Sequence, residues 1–124
     1  MITEDYVSFD TSKLLKEKGF SSAETLMFYN SEGKCFTNQF YYNFDKNDII
    51  DCPTLQMAMK WLREVHKLYI IVRPYVTEEG ILSLFEIKDI RNKDRIRNVQ
   101  TKTGFNSFEE ACESAIRYCL ENLI

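Results

Sequence analysis

Two β-rich runs, KLYIIVRPYVT at residues 67–77 and ILSLFEIKDI at residues 81–90, meet across the turn Thr77-Glu78-Glu79-Gly80. β-Branched and aromatic residues bounded by a short polar turn ending in glycine specify an antiparallel hairpin. Pro74 has no N–H to give to a ladder, so the first run is an edge strand or is bulged there. A third run near residues 95–102 completes a meander after the turn Asn92-Lys93-Asp94.

Helical patterns flank this meander on both sides. Before it, residues 54–67 place Leu55, Met57, Ala58, Met59, Trp61, Leu62, Val65 and His66 in a wide apolar arc at 100° per residue. Such an arc exceeds what docking on one sheet face requires, so the helix must also touch a second helix, a loop or another molecule. After the meander, Ser107 and Glu110 form a capping box, and Glu109, Glu110 and Glu113 sit at the positive end of a helix that continues to Leu123. Phe108, Ala111, Cys112, Ala115, Ile116, Cys119 and Leu123 make one stripe along it, which is read as packing on the sheet.

The first half of the chain is read as a short helix over residues 11–18, capped by Asp10 or Ser8 and ended by Gly19. A hairpin follows over residues 25–44, turning at Asn30-Ser31-Glu32-Gly33, and DKNDIID is a polar connection into the next helix. The 124 residues, 44% hydrophobic and 28% charged, suit one globular domain spanning residues 1–124. The expected fold is α+β: an antiparallel sheet of four to five strands, covered on one face, with three helices in the order α-β-β-α-β-β-β-α.

Three stretches, KLLKEKGF at residues 13–20, PTLQMAMKWLREVH at residues 53–66 and the C-terminal SFEEACESAIRYCLENLI, are distinctive. In them the chain resembles a family of short uncharacterised proteins encoded in Bacteroidetes genomes and in their phages and prophages. The resemblance covers the start, centre and end of the chain and implies a phage-associated setting. It brings no activity, cofactor or site residue with it.

Catalytic and metal chemistry find little footing. His66, the sole histidine, falls at the C-terminal end of its helix, where it reads as a structural residue favoured by the helix dipole. Cys52 is its only nearby nucleophile in sequence. Cys112 and Cys119, seven apart on one face, read as core; metal ligands on a helix are usually four apart. Asp45, Asn47, Asp48 and Asp51 lack the glycine and terminal glutamate of a calcium loop. Glu109, Glu110 and Glu113 are explained by capping, and Glu78 and Glu79 by a solvated turn. The chain contains no phosphate-binding glycine loop, GxSxG or HExxH motif. The expectation is therefore a protein that is not an enzyme and uses no cofactor. Four cysteines without paired spacing, no apolar leader and no run of about 20 apolar residues point to a reduced cytoplasmic setting and no membrane.

Two surfaces remain. The apolar arc offers Met57, Met59 and Trp61 to a protein partner or to a second copy, unless the helix is wedged between sheet and C-terminal helix. Residues 88–102 hold Lys88, Arg91, Lys93, Arg95, Arg97 and Lys102 against Asp89 and Asp94, a local excess of four positive charges in a chain of net charge −3. Those six would track phosphates, and Phe40, Tyr41 and Tyr42 would stack bases if they lay on the same face. A non-enzymatic protein-interaction module, of the kind a phage or prophage uses as an accessory factor, is the leading expectation, and a nucleic-acid-binding protein using the basic segment is the alternative.

Overall fold

The computed structural model describes residues 3–21 and 25–124, with three α-helices and six strands in the order α-β-β-β-α-β-β-β-α among them. Helix α1 spans Phe9–Glu17, with the Ser8 hydroxyl accepting from the Thr11 amide. Strands β1 (Met27–Tyr29), β2 (Cys35–Thr37) and β3 (Ile50–Cys52) follow, then α2 (Leu55–Val65), β4 (Leu68–Thr77), β5 (Gly80–Asp89), β6 (Arg97–Phe105) and α3 (Phe108–Asn122).

The expectation of one sheet with four or five strands is corrected to two three-stranded antiparallel sheets, ordered β2-β1-β3 and β4-β5-β6. The extra strand is β3, cut from the segment read as a polar connection: Met27 pairs with Cys52 and Tyr29 with Ile50. The β1–β2 hairpin turns where expected, with the Asn30 side chain accepting from the amides of Glu32 and Lys34. Residues after β2 leave the ladder for a 3₁₀ turn at Asn38–Asn43. In the hairpin turn Gly33 has φ +84°, and a Cβ would fall 2.9 Å from the Phe9 ring, so only glycine fits without a shift.

The larger sheet carries the core. Thr77 pairs with Gly80, leaving Glu78 and Glu79 as a two-residue turn, and the register then runs without a break to Leu68 opposite Asp89. Antiparallel pairs alternate between hydrogen-bonded and open positions. Counting from the turn, Pro74 opposite Ser83 is open, so its missing N–H costs no bond to β5 and instead blunts the outer edge of β4. On the other edge, β6 slips register against β5 twice, between Ser83 and Phe85 and between Ile87 and Lys88. Both margins are thereby made poor templates for a further strand.

Alternation in β4 and β5 sends Ile70, Val72, Phe85 and Ile87 to one face, where α2 and α3 pack against them. Leu55, Ala58, Met59 and Leu62 of α2 and Ala111, Cys112, Ala115, Ile116, Cys119 and Leu120 of α3 fill that layer. Ser107 caps α3 by accepting from the Glu110 amide, and the Glu110 carboxylate accepts from the Asn106 amide, one residue earlier than in a standard capping box. Phe108 departs from the expected stripe and stands exposed. At the end of α2, Lys67 takes φ 57°, a left-handed position usually given to glycine, and its carbonyl accepts from the Ile90 amide. That turn sets Leu68 fully into the core.

Burial sorts the thiols. Cys52, Cys112 and Cys119 are enclosed, and desolvation pushes them up to about 11, about 12 and about 12 respectively. Cys35 is exposed. A maleimide or disulfide reagent on the native protein is expected to label Cys35 rapidly and the other three only after unfolding. Fast labelling of a second thiol would contradict this packing.

Candidate nucleic-acid interface

Asp89 ends β5 with its side chain on the helix-facing side and almost enclosed, yet it is a carboxylate. Burial of a charge demands partners, and here they are arginines. The Asp89 Oδ1 accepts from the Arg91 amide and Nε, both at 3.0 Å, and Oδ2 accepts from Arg91 Nη2 at 2.9 Å and Arg97 Nη2 at 3.2 Å. The hydrogen bonds from Arg91 hold the carboxyl well below the usual range, with the charge of Arg97 adding to them. Its contribution to stability is present above the ordinary aspartate pKa and is lost as pH falls through the lowered value.

Between β5 and β6 the chain closes a tight loop. Arg95 N–H donates to the Asn92 carbonyl at 3.2 Å, and the Asn92 side chain accepts from the Asp94 amide at 2.9 Å. This loop brings Arg95 beside the anchored pair, so that Asp89, Arg91, Asn92, Arg95 and Arg97 line a cleft of about 500 Å³. Arg95 and Lys93 are exposed and form no ion pair with any described residue.

The six bases of the segment do not act as one patch. Lys88 alternates to the opposite face, where it and Arg73 flank Glu86 at 3.7 and 3.0 Å. Lys102 pairs opposite Phe85, farther along β6 and outside the cleft. Arg91, Arg95 and Arg97 remain together at the cleft, with Lys93 exposed on the same loop. The aromatic residues once expected beside them lie elsewhere: Phe40 and Tyr41 sit in the 3₁₀ turn, their rings against Phe36 and Phe28 of the small sheet, and the Tyr42 side chain is outside the described residues. Tyr69, 42% exposed and beneath the Arg63 guanidinium at 5.6 Å, stands opposite Lys88 and so on the face away from the Asp89 cleft. Its place in β4, alternating with Leu68 and Ile70, was the sequence signal for an outward ring.

The apolar arc of α2 is largely absorbed by the molecule itself. Met59 is buried in the core, which removes it from any interface. Trp61 is partly buried with its ring against Phe20 at 5.5 Å and His66 at 4.7 Å, and Met57 is half-buried. Comparison with protein-family models, curated proteins and solved structures finds no match for the chain.

Other candidate chemistry is dispersed. His66 and Cys52 flank opposite ends of α2, separated by roughly 16 Å of helix, so no nucleophile–base pair forms. Cys52 Sγ instead faces the Val7 carbonyl. Asp45 caps a 3₁₀ turn and Asp51 accepts from Thr25, and among the described residues no three His, Cys, Asp or Glu side chains are grouped to hold a metal. A hollow of about 670 Å³ is bordered by Asp5, Glu109, Glu110 and Glu113. Two of those carboxylates are engaged with backbone, Glu110 with Asn106 and Glu113 with the Ser8 amide at 3.0 Å. No described helix is long and apolar enough to cross a membrane.

Proposed function

We propose that this protein is a non-enzymatic binding module whose ligand is nucleic acid, held through phosphates by Arg91, Lys93, Arg95 and Arg97. The observation that carries the reading is the convergence of three guanidinium groups on one cleft around a single carboxylate. Arg91 and Arg97 are engaged with Asp89, whereas the Arg95 guanidinium lines the same cleft with no ion pair among the described residues. Arginine forks match phosphate oxygens in pairs, and backbone contacts of this type supply affinity without reading sequence. The phage-associated setting implied by the sequence resemblance is compatible with such a partner.

The test is a fluorescence-anisotropy titration against short single- and double-stranded DNA and RNA. Micromolar binding at low salt, weakened by Arg95→Ala without loss of fold, is the expected result. No binding at low salt would remove this reading.

A protein partner is the second reading, and its support has moved from α2 to the hairpin tip. There Val76 and Ile81 form a cross-strand apolar pair exposed at 82% and 70%.

A further inference from the structure

We infer that the Arg91–Arg95–Arg97 cleft seats a terminal phosphomonoester at the end of a nucleic-acid strand, rather than one link of a continuous phosphodiester backbone. The inference rests on the nucleic-acid reading and narrows it to a ligand class.

Charge matching is the first argument. Three arginines and one aspartate line the cleft, leaving a net of two positive charges. A phosphodiester carries one negative charge, whereas a phosphomonoester carries about 1.5 to 2 at neutral pH. The cleft is therefore balanced for the end of a strand.

Donor geometry is the second. Asp89 occupies Nε and Nη2 of Arg91 and Nη2 of Arg97. Those bonds leave Nη1 of Arg91, and Nε and Nη1 of Arg97, without a partner among the described residues. The Arg95 side chain has no hydrogen-bond or ion-pair partner among the described residues. A terminal phosphate presents three outer oxygens to be shared among such donors, one more than a diester. Because Asp89 already fixes two guanidinium groups, little side-chain freedom remains to be lost when the anion arrives.

Shape is the third. A backbone track wants a groove along which cations follow successive phosphates. Here three arginines line one cleft, with Asn92 and Arg95 supplied by the hydrogen-bonded turn, and do not follow one another along a groove. Lys93 does not line the cleft but is exposed on the same loop with no ion pair among the described residues, so a second phosphate of a nucleic-acid end would have a cation to meet where an isolated phosphoryl group on a peptide would not.

The experiment uses the full chain at near-physiological salt. One oligonucleotide is prepared with a 5′-phosphate, with a 3′-phosphate and with hydroxyls at both ends, and a phosphoserine peptide and its unmodified form are titrated in parallel. One or other phosphorylated strand is expected to bind at least about tenfold more tightly than the hydroxyl form. Which of them does so identifies the end. Arg95→Ala should abolish the preference, and Arg95→Lys should restore only part of it, because a lysine has no fork. The Arg95 side chain makes no hydrogen bond within the described residues, so both variants keep the fold, as thermal unfolding will verify. Equal binding of all three strands would overturn the inference while leaving the nucleic-acid reading intact. Failure of every strand would overturn both. Binding of the phosphopeptide with indifference to the strands would overturn them in favour of a protein ligand.

Discussion

Phe85→Ala is expected to remove about 3–5 kcal/mol of folding stability, the largest loss of any single truncation considered for this chain. Phe85 is fully buried on the central strand, opposite Val72 on β4, with its ring 5.6 Å from that of Phe105. The helix-covered layer lies over it, so truncation opens a void that α3 cannot fill without moving off its other sheet contacts. For a domain of this size, the thermal midpoint should fall by roughly 10–20 °C. Ile81→Ala is the internal control: the same strand and face, yet 70% exposed, with an expected change within about 0.5 kcal/mol. Urea unfolding of both variants checks the pair. If the two cost the same, the sheet and helices are not packed as described.

The second large effect concerns binding. Lys93→Glu combined with Arg95→Glu changes the local charge by four while touching no ion pair or side-chain hydrogen bond among the described residues. Affinity for a short oligonucleotide should drop on the order of a hundredfold, since two phosphate contacts are lost and two repulsions gained. Urea unfolding should be almost unchanged. By contrast, Arg91→Glu sets a second carboxylate beside Asp89, and its loss of binding would be confounded with loss of stability. A Lys93→Glu/Arg95→Glu protein that binds like the parent would place nucleic-acid contacts elsewhere on the molecule.

Long elements with strong local signals were legible in the sequence. The β4–β5 hairpin and its edge proline, the capped α3 with its buried stripe, and α2 all follow from periodicity and turn chemistry. The small sheet was not, because its strands are three residues long and β3 pairs with β1 across more than twenty residues of chain. Three residues are too few to show alternation, and nothing local in DKNDIID announces a partner. The same limit governs the site. Six bases in one segment were visible, but only the pleat sends Lys88 to the far face, and only the β5–β6 loop gathers three arginines at one cleft, two of them on Asp89. Asp89 itself was counted merely as charge subtracted from the patch, whereas it is the group that fixes two of the guanidiniums. The wide arc of α2 was correctly read as touching more than one neighbour; Phe20, near the end of α1, is one of them.

The central claim is that a cationic cleft at the β5–β6 loop holds nucleic acid by its phosphates, and its most direct test is the salt dependence of binding. Arg95, Lys93 and the one charge left over from Arg91 and Arg97 after Asp89 amount to about three phosphate contacts, so affinity should fall about fortyfold between 50 and 200 mM salt. Arg95→Ala should lower the slope of log affinity against log salt by about one unit. A slope near zero, or one that Arg95→Ala leaves unchanged, would contradict the account.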